Sequence, residues 1–106
     1  MIHNHHIRTK TALGLIEEVN SIYEVDILSR DRDRYTSDIR KMYCAYVYKN
    51  TRLTIQNLSE ILQKSIGNVS YYLSSHDKEV GKGGAYADHY TEFQDRMKTE
   101  SAKFNF

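Results

Sequence analysis

Proline is missing from the 106-residue chain, so no helix is obliged to kink or stop at one. Tryptophan is missing as well, and the single cysteine, Cys44, excludes an internal disulfide and suits a reducing compartment. No apolar run approaches the ~18 residues needed to cross a bilayer. Residues 1–10 lack the apolar stretch of a signal peptide. Excess charge of either sign is also lacking: 15 Lys and Arg stand against 14 Asp and Glu, a formal net charge of +1. Bulk charge therefore makes no argument for a polyanionic partner, and any such argument has to rest on where the charges sit. These absences point to a soluble, cytoplasmic, single-domain protein with no membrane association, long enough to bury a core without staples.

The apolar residues that are present recur at helical spacing. Ala12, Ile16, Val19 and Tyr23 fall on one face, with Leu13 and Leu15 widening it. Asp26, Ile27 and Leu28 suit a short turn. Residues 29–37 are polar and charged without periodicity, which predicts a loop. A helix then follows with Thr36 or Ser37 as its N-cap, burying Ile39, Met42, Tyr43, Tyr46 and Val47. Thr54 is placed to cap a short helix carrying Leu58, Ile61 and Leu62, and Ser65 to cap the next, with Val69, Tyr72, Leu73 and His76 on one stripe. Gly81, Lys82, Gly83 and Gly84 make a flexible stop. Tyr86, Tyr90, Phe93 and Met97 define a last helix over about 86–98. The expectation is an all-α fold, a compact bundle of five to six helices. Ile16, Val19, Met42, Tyr46, Val47, Leu58, Ile61, Leu62, Val69 and Leu73 should share one core. Residues 1–10 and 99–106 are expected to be flexible tails. His3, His5 and His6 lie in the first of these, without the further ligands of a closed metal site, so no metal or other cofactor is expected.

Two segments carry chemistry. The short helix from Thr54, the tight connection Gln63-Lys64 and the helix from Ser65 have the layout of a helix-turn-helix, whose second helix enters the major groove and touches base edges with its N-terminal residues. Small polar residues stand there: Ser65, Gly67, Asn68 and Ser70. An amide such as Asn68 offers a donor and acceptor pair to adenine. Tyr71 lies one turn further along the outward side, and Lys64 sits at the turn. The second segment is the loop Arg30-Asp31-Arg32-Asp33-Arg34. Its alternating arginines suit phosphates or a minor groove, while its aspartates offer them competing partners. Arg40 and Lys41 add charge in the following helix, and Arg40 and Lys64 are expected to hold phosphates beside the major groove. No enzyme is expected, because no nucleophile, base and orienting group can be assembled. Cys44 lies in an apolar helix, and Glu17 and Glu18 fall on a solvated face. The partner expected is double-stranded DNA. The alternative is a protein-interaction module on the same scaffold, acting through a protein partner or self-association.

The run Leu28-Ser29-Arg30-Asp31-Arg32-Asp33-Arg34, the helix holding Arg40-Lys41-Met42 and the helix pair after it together resemble the C-terminal DNA-binding domain of the bacterial replication initiator DnaA. The resemblance covers about residues 15–80. It implies an all-helical domain related in fold to the Trp repressor, one that regulates transcription or replication. It also implies that Arg32 enters a minor groove. Arg40 matches the arginine of the family's Arg-Gln pair, with Lys41 in place of the glutamine. Where the family opens its recognition helix with Asp-His-Ser/Thr-Thr-Val, this chain has Ser65-Ile66-Gly67-Asn68-Val69, so only the valine is common. The resemblance thus implies the scaffold and not the initiator's own binding box. Gly81-Lys82-Gly83-Gly84 has neither the spacing nor the hydroxyl of a phosphate-binding loop. A stand-alone relative, of the kind a phage or mobile element carries, fits these features.

Overall fold

The computed structural model describes the backbone over residues 5–102 and side chains over 11–99. It contains five helices: α1 (His5–Tyr23), α2 (Arg34–Asn50), α3 (Ile55–Leu62), α4 (Ile66–Lys82) and α5 (Gly84–Ala102). Among the described residues there is no strand, so the fold is all-α.

Helix α2 is the centre of the bundle. It buries Ile39, Met42, Tyr43, Cys44, Ala45, Tyr46 and Val47, which leaves little of its middle facing water, as expected of a helix packed on most sides. Against it lie Leu15, Ile16 and Val19 of α1, Leu58, Ile61 and Leu62 of α3, and Val69 of α4. Tyr90, Phe93 and Met97 of α5 complete the same core. Leu73, expected within that core, packs against it only partly buried. The Tyr43 hydroxyl donates to the Ala12 carbonyl at 2.6 Å, so α1 and α2 are also tied by a buried polar contact. Phe93 stacks on Tyr23 and meets Tyr46 edge-on, which packs α5 against the last residue of α1 and the body of α2.

The helix ends follow from side-chain chemistry, and two differ from the sequence expectation. Asp33 caps α2, its carboxylate accepting from the Thr36 amide at 3.0 Å. The helix therefore starts at Arg34, ahead of the expected caps Thr36 and Ser37. The alternation of arginine and aspartate concealed this cap. Helix α1 begins at His5 rather than near Thr11: residues 5–10 lack apolar periodicity, yet contain nothing that breaks a helix. The tail expected over 1–10 is thus helical from His5, and α5 likewise continues to Ala102. His3 and residues 103–106 lie outside the described residues.

Thr54 and Asn57 form a reciprocal capping box at α3. Ser65 caps α4 by accepting from the Asn68 amide. Between them Gln63 takes a left-handed conformation (φ 58°), and the Lys64 amide closes back on the Ser59 carbonyl. Gly83 and Gly84, at φ 73° and 79°, turn the chain from α4 into α5, a conformation that L side chains adopt only at a cost.

Candidate functional site

Residues 24–33, between α1 and α2, contain no helix but are held at many points. The Asn20 side chain accepts from the Ile27 amide, Asp26 from Leu28, and Ser29 from Asp31. Two cations from elsewhere complete the clamp. Arg40 is buried, at 4% exposure. Its guanidinium donates to the carbonyls of Ile27 (2.8 Å), Ser29 (3.0 Å) and Asp31 (3.2 Å). Lys64 reaches across from the α3–α4 turn, its ammonium donating to the Ser29 carbonyl at 2.6 Å and to that of Leu28 at 3.3 Å.

These contacts reassign two residues. Sequence reasoning gave Arg40 and Lys64 to phosphates, but their donors are directed at the protein's own backbone. They build the loop and dock it against the start of α4. Burial pushes the Lys64 ammonium below its ordinary value, and the nearby Arg40, Arg30 and Arg32 push in the same direction. Asp26 opposes them.

Around that clamp the structure brings most of the sequence-selected residues together. A cleft of about 370 Å³ is lined by Ser29, Arg30, Asp31, Arg32, Arg40, Gln63, Lys64, Ser65, Asn68 and Tyr72. A second, of about 380 Å³, is lined by Arg32, Ser37, Arg40, Lys41, Asn68, Tyr71 and Tyr72. The two share Arg32, Arg40, Asn68 and Tyr72, so they adjoin along one flank of α4. Lys41 stands over the Tyr71 ring, its nitrogen 5.5 Å from the centroid. Arg30, Arg32, Ser65, Gly67, Asn68 and Tyr71 are all exposed.

The arginine loop does not neutralise itself. Among the described residues, Arg30 and Arg32 form no ion pair with Asp31 or Asp33. Asp33 is engaged as the α2 cap, and the hydrogen bonds from Thr36 hold its carboxyl below the ordinary range. Arg34 is the exception. It pairs with Asp38 at 3.6 Å and faces a different hollow of about 400 Å³, where Tyr23, Tyr35, Ile39 and Met42 lie beside Arg34, Asp38, His89 and Glu92. It does not join the other cations. Sequence reasoning missed the clamping role of Arg40, although the signal was there: Arg40 follows Thr36 and precedes Tyr43 and Val47 at helical spacing, on a buried stripe.

Away from this flank, Cys44 is buried and its thiol is pushed up to about 12, so it stays protonated near neutrality. No group of three or more His, Cys, Asp or Glu able to hold a metal ion occurs among the described residues. No helix among them is long and apolar enough to cross a membrane. Comparison with protein-family models, curated proteins and solved structures finds no match for the chain.

Proposed function

We propose that this chain is a double-stranded DNA-binding domain of helix-turn-helix type, in which α3 and α4 are the motif and the 24–33 loop supplies a second contact. The observation that carries the reading is the convergence of exposed Arg30 and Arg32 and half-buried Lys41 on the open, uncharged first turn of α4, where Arg30 and Arg32 form no ion pair with Asp31 beside them. Phosphates need mobile cations at the rim, and base edges need a helix whose first turn lets the backbone come close. Ser65, Gly67 and Asn68 provide that turn, Tyr71 follows one turn further along, and Arg40 and Lys64 hold the loop beside it. The resemblance to the replication initiator's DNA-binding domain supports the same assignment, and with it a role in regulating transcription or replication, in a stand-alone relative carried by a phage or mobile element.

A protein-interaction module is the second reading. It is favoured by the near-zero net charge and by the apolar hollow at Tyr23, Tyr35, Ile39 and Met42. A mobility-shift selection from a random duplex pool at low salt separates the two. DNA binding predicts recovery of shifted duplex that Arg30→Ala/Arg32→Ala depletes. Failure to shift any duplex refutes it in favour of a protein partner or self-association.

A further inference from the structure

The solvent-facing ridge of α4 carries no charge until Asp77. At helical spacing it runs through Ile66, Gly67, Ser70, Tyr71 and Ser74, all exposed. Exposed faces of helices ordinarily carry charged residues. Here the cations stand to one side, in the clefts that Arg30, Arg32 and Lys41 line. At the head of the ridge, Ile66 is 53% exposed and lies outside the core cluster, so packing does not account for an isoleucine there. Packing does not account for Gly67 either: a Cβ at that position would meet nothing nearer than the Ser65 hydroxyl at 3.9 Å. An apolar side chain and a bare backbone thus sit side by side on the turn flanked by cations.

Building on the DNA-binding reading, we propose that Ile66 is a specificity-determining residue that packs on the C5-methyl group of a thymine. In the major groove, the thymine methyl is the apolar feature of the base-pair edges, whereas the other groups displayed there are hydrogen-bond donors and acceptors. If Arg30, Arg32 and Lys41 meet phosphates, the neutral ridge beside them faces the bases. Gly67 lets the helix approach, and the side chain that then meets the groove floor is isoleucine. The domain therefore prefers a thymine at one position of its site, independently of any hydrogen bond made by Asn68.

Deoxyuridine tests this, because it pairs as thymine does and lacks only the methyl. A duplex selected from the random pool is resynthesised with each thymine replaced in turn, and affinities are measured for wild type and Ile66→Ala. Deoxyuridine at one position should weaken wild type about fourfold, the worth of one buried methyl-sized group. Ile66→Ala should bind the thymine and uracil duplexes equally, with an unchanged thermal melt. If the selected duplex binds but no replacement matters, or if Ile66→Ala keeps the thymine preference, the role of Ile66 is refuted and DNA binding stands. If no duplex is selected at all, the DNA-binding reading itself has failed and this inference with it.

Discussion

Lowering the pH from 7 to 4 should cost the folded chain about 3 kcal/mol through one side chain, His76. The imidazole is fully buried between α4 and α5. Its Nδ1 lies 2.6 Å from the Tyr86 hydroxyl, and the ring meets Tyr90 edge-on at 4.3 Å. Its Nε2 has no hydrogen-bond partner, and neither has the Tyr90 hydroxyl. Charging the ring would require both nitrogens to donate in a site with no acceptor for the second. Burial, reinforced by Lys49 and Lys41 and opposed by Asp77, lowers the pKa from 6.5 to about 4. A depressed folded-state value favours the neutral ring, so its contribution is intact above 6.5 and is lost as the pH falls toward 4. Urea melts followed by circular dichroism at several pH values measure the loss. The control is His76→Leu/Tyr86→Phe, which removes both partners and so leaves no orphaned hydroxyl. Carboxylates titrate in both proteins, so the difference between their curves isolates His76. Parallel losses between pH 7 and 4 would show that His76 does not lose stability on protonation.

Three further outcomes follow from the packing and the site. Leu58→Ala, in a fully buried position of α3, should cost about 2–5 kcal/mol in a chemical melt. Arg40→Ala should cost about 2–4 kcal/mol, because it strands the loop carbonyls. Arg40→Lys should rescue little of this, since one ammonium cannot match the guanidinium fork, and the melts of the two variants check it. Gly67→Ala should raise stability by a few tenths to about 1 kcal/mol while weakening duplex binding, so a melt and a binding isotherm should move in opposite directions.

Much of the fold was legible in the sequence because apolar side chains mark helices by spacing. The stripe Ala12, Ile16 and Val19 and the stripe Tyr86, Tyr90, Phe93 and Met97 are buried as periodicity requires. Thr54 and Ser65 cap the helices they were expected to cap. What periodicity could not supply was anything set by polar side chains acting at a distance. Asp33 is a cap only because α2 begins one residue later, and in sequence it is one acid in a run of alternating charges. The clamp on the 24–33 loop joins Lys64 to Ser29 across 35 positions, a pairing no local pattern encodes. At the candidate site, Arg30, Arg32, Lys41, Asn68 and Tyr71 were chosen from the layout of the helix pair and the pattern of charges before it, and they fall along one flank. Arg34 was chosen on the same grounds but turns to Asp38, because α2 had already begun and rotated it away from its neighbours.

The salt dependence of duplex binding counts the phosphates that the loop arginines meet. Affinities of wild type and Arg30→Ala/Arg32→Ala for the selected duplex, measured across a series of salt concentrations, give the number of phosphates each protein neutralises. If both loop arginines meet the backbone, the double variant should bind more weakly at every concentration, and its log–log slope should be shallower by roughly two. Both proteins should melt alike, since these side chains are exposed. Identical slopes, or no binding by wild type at low salt, would contradict the account.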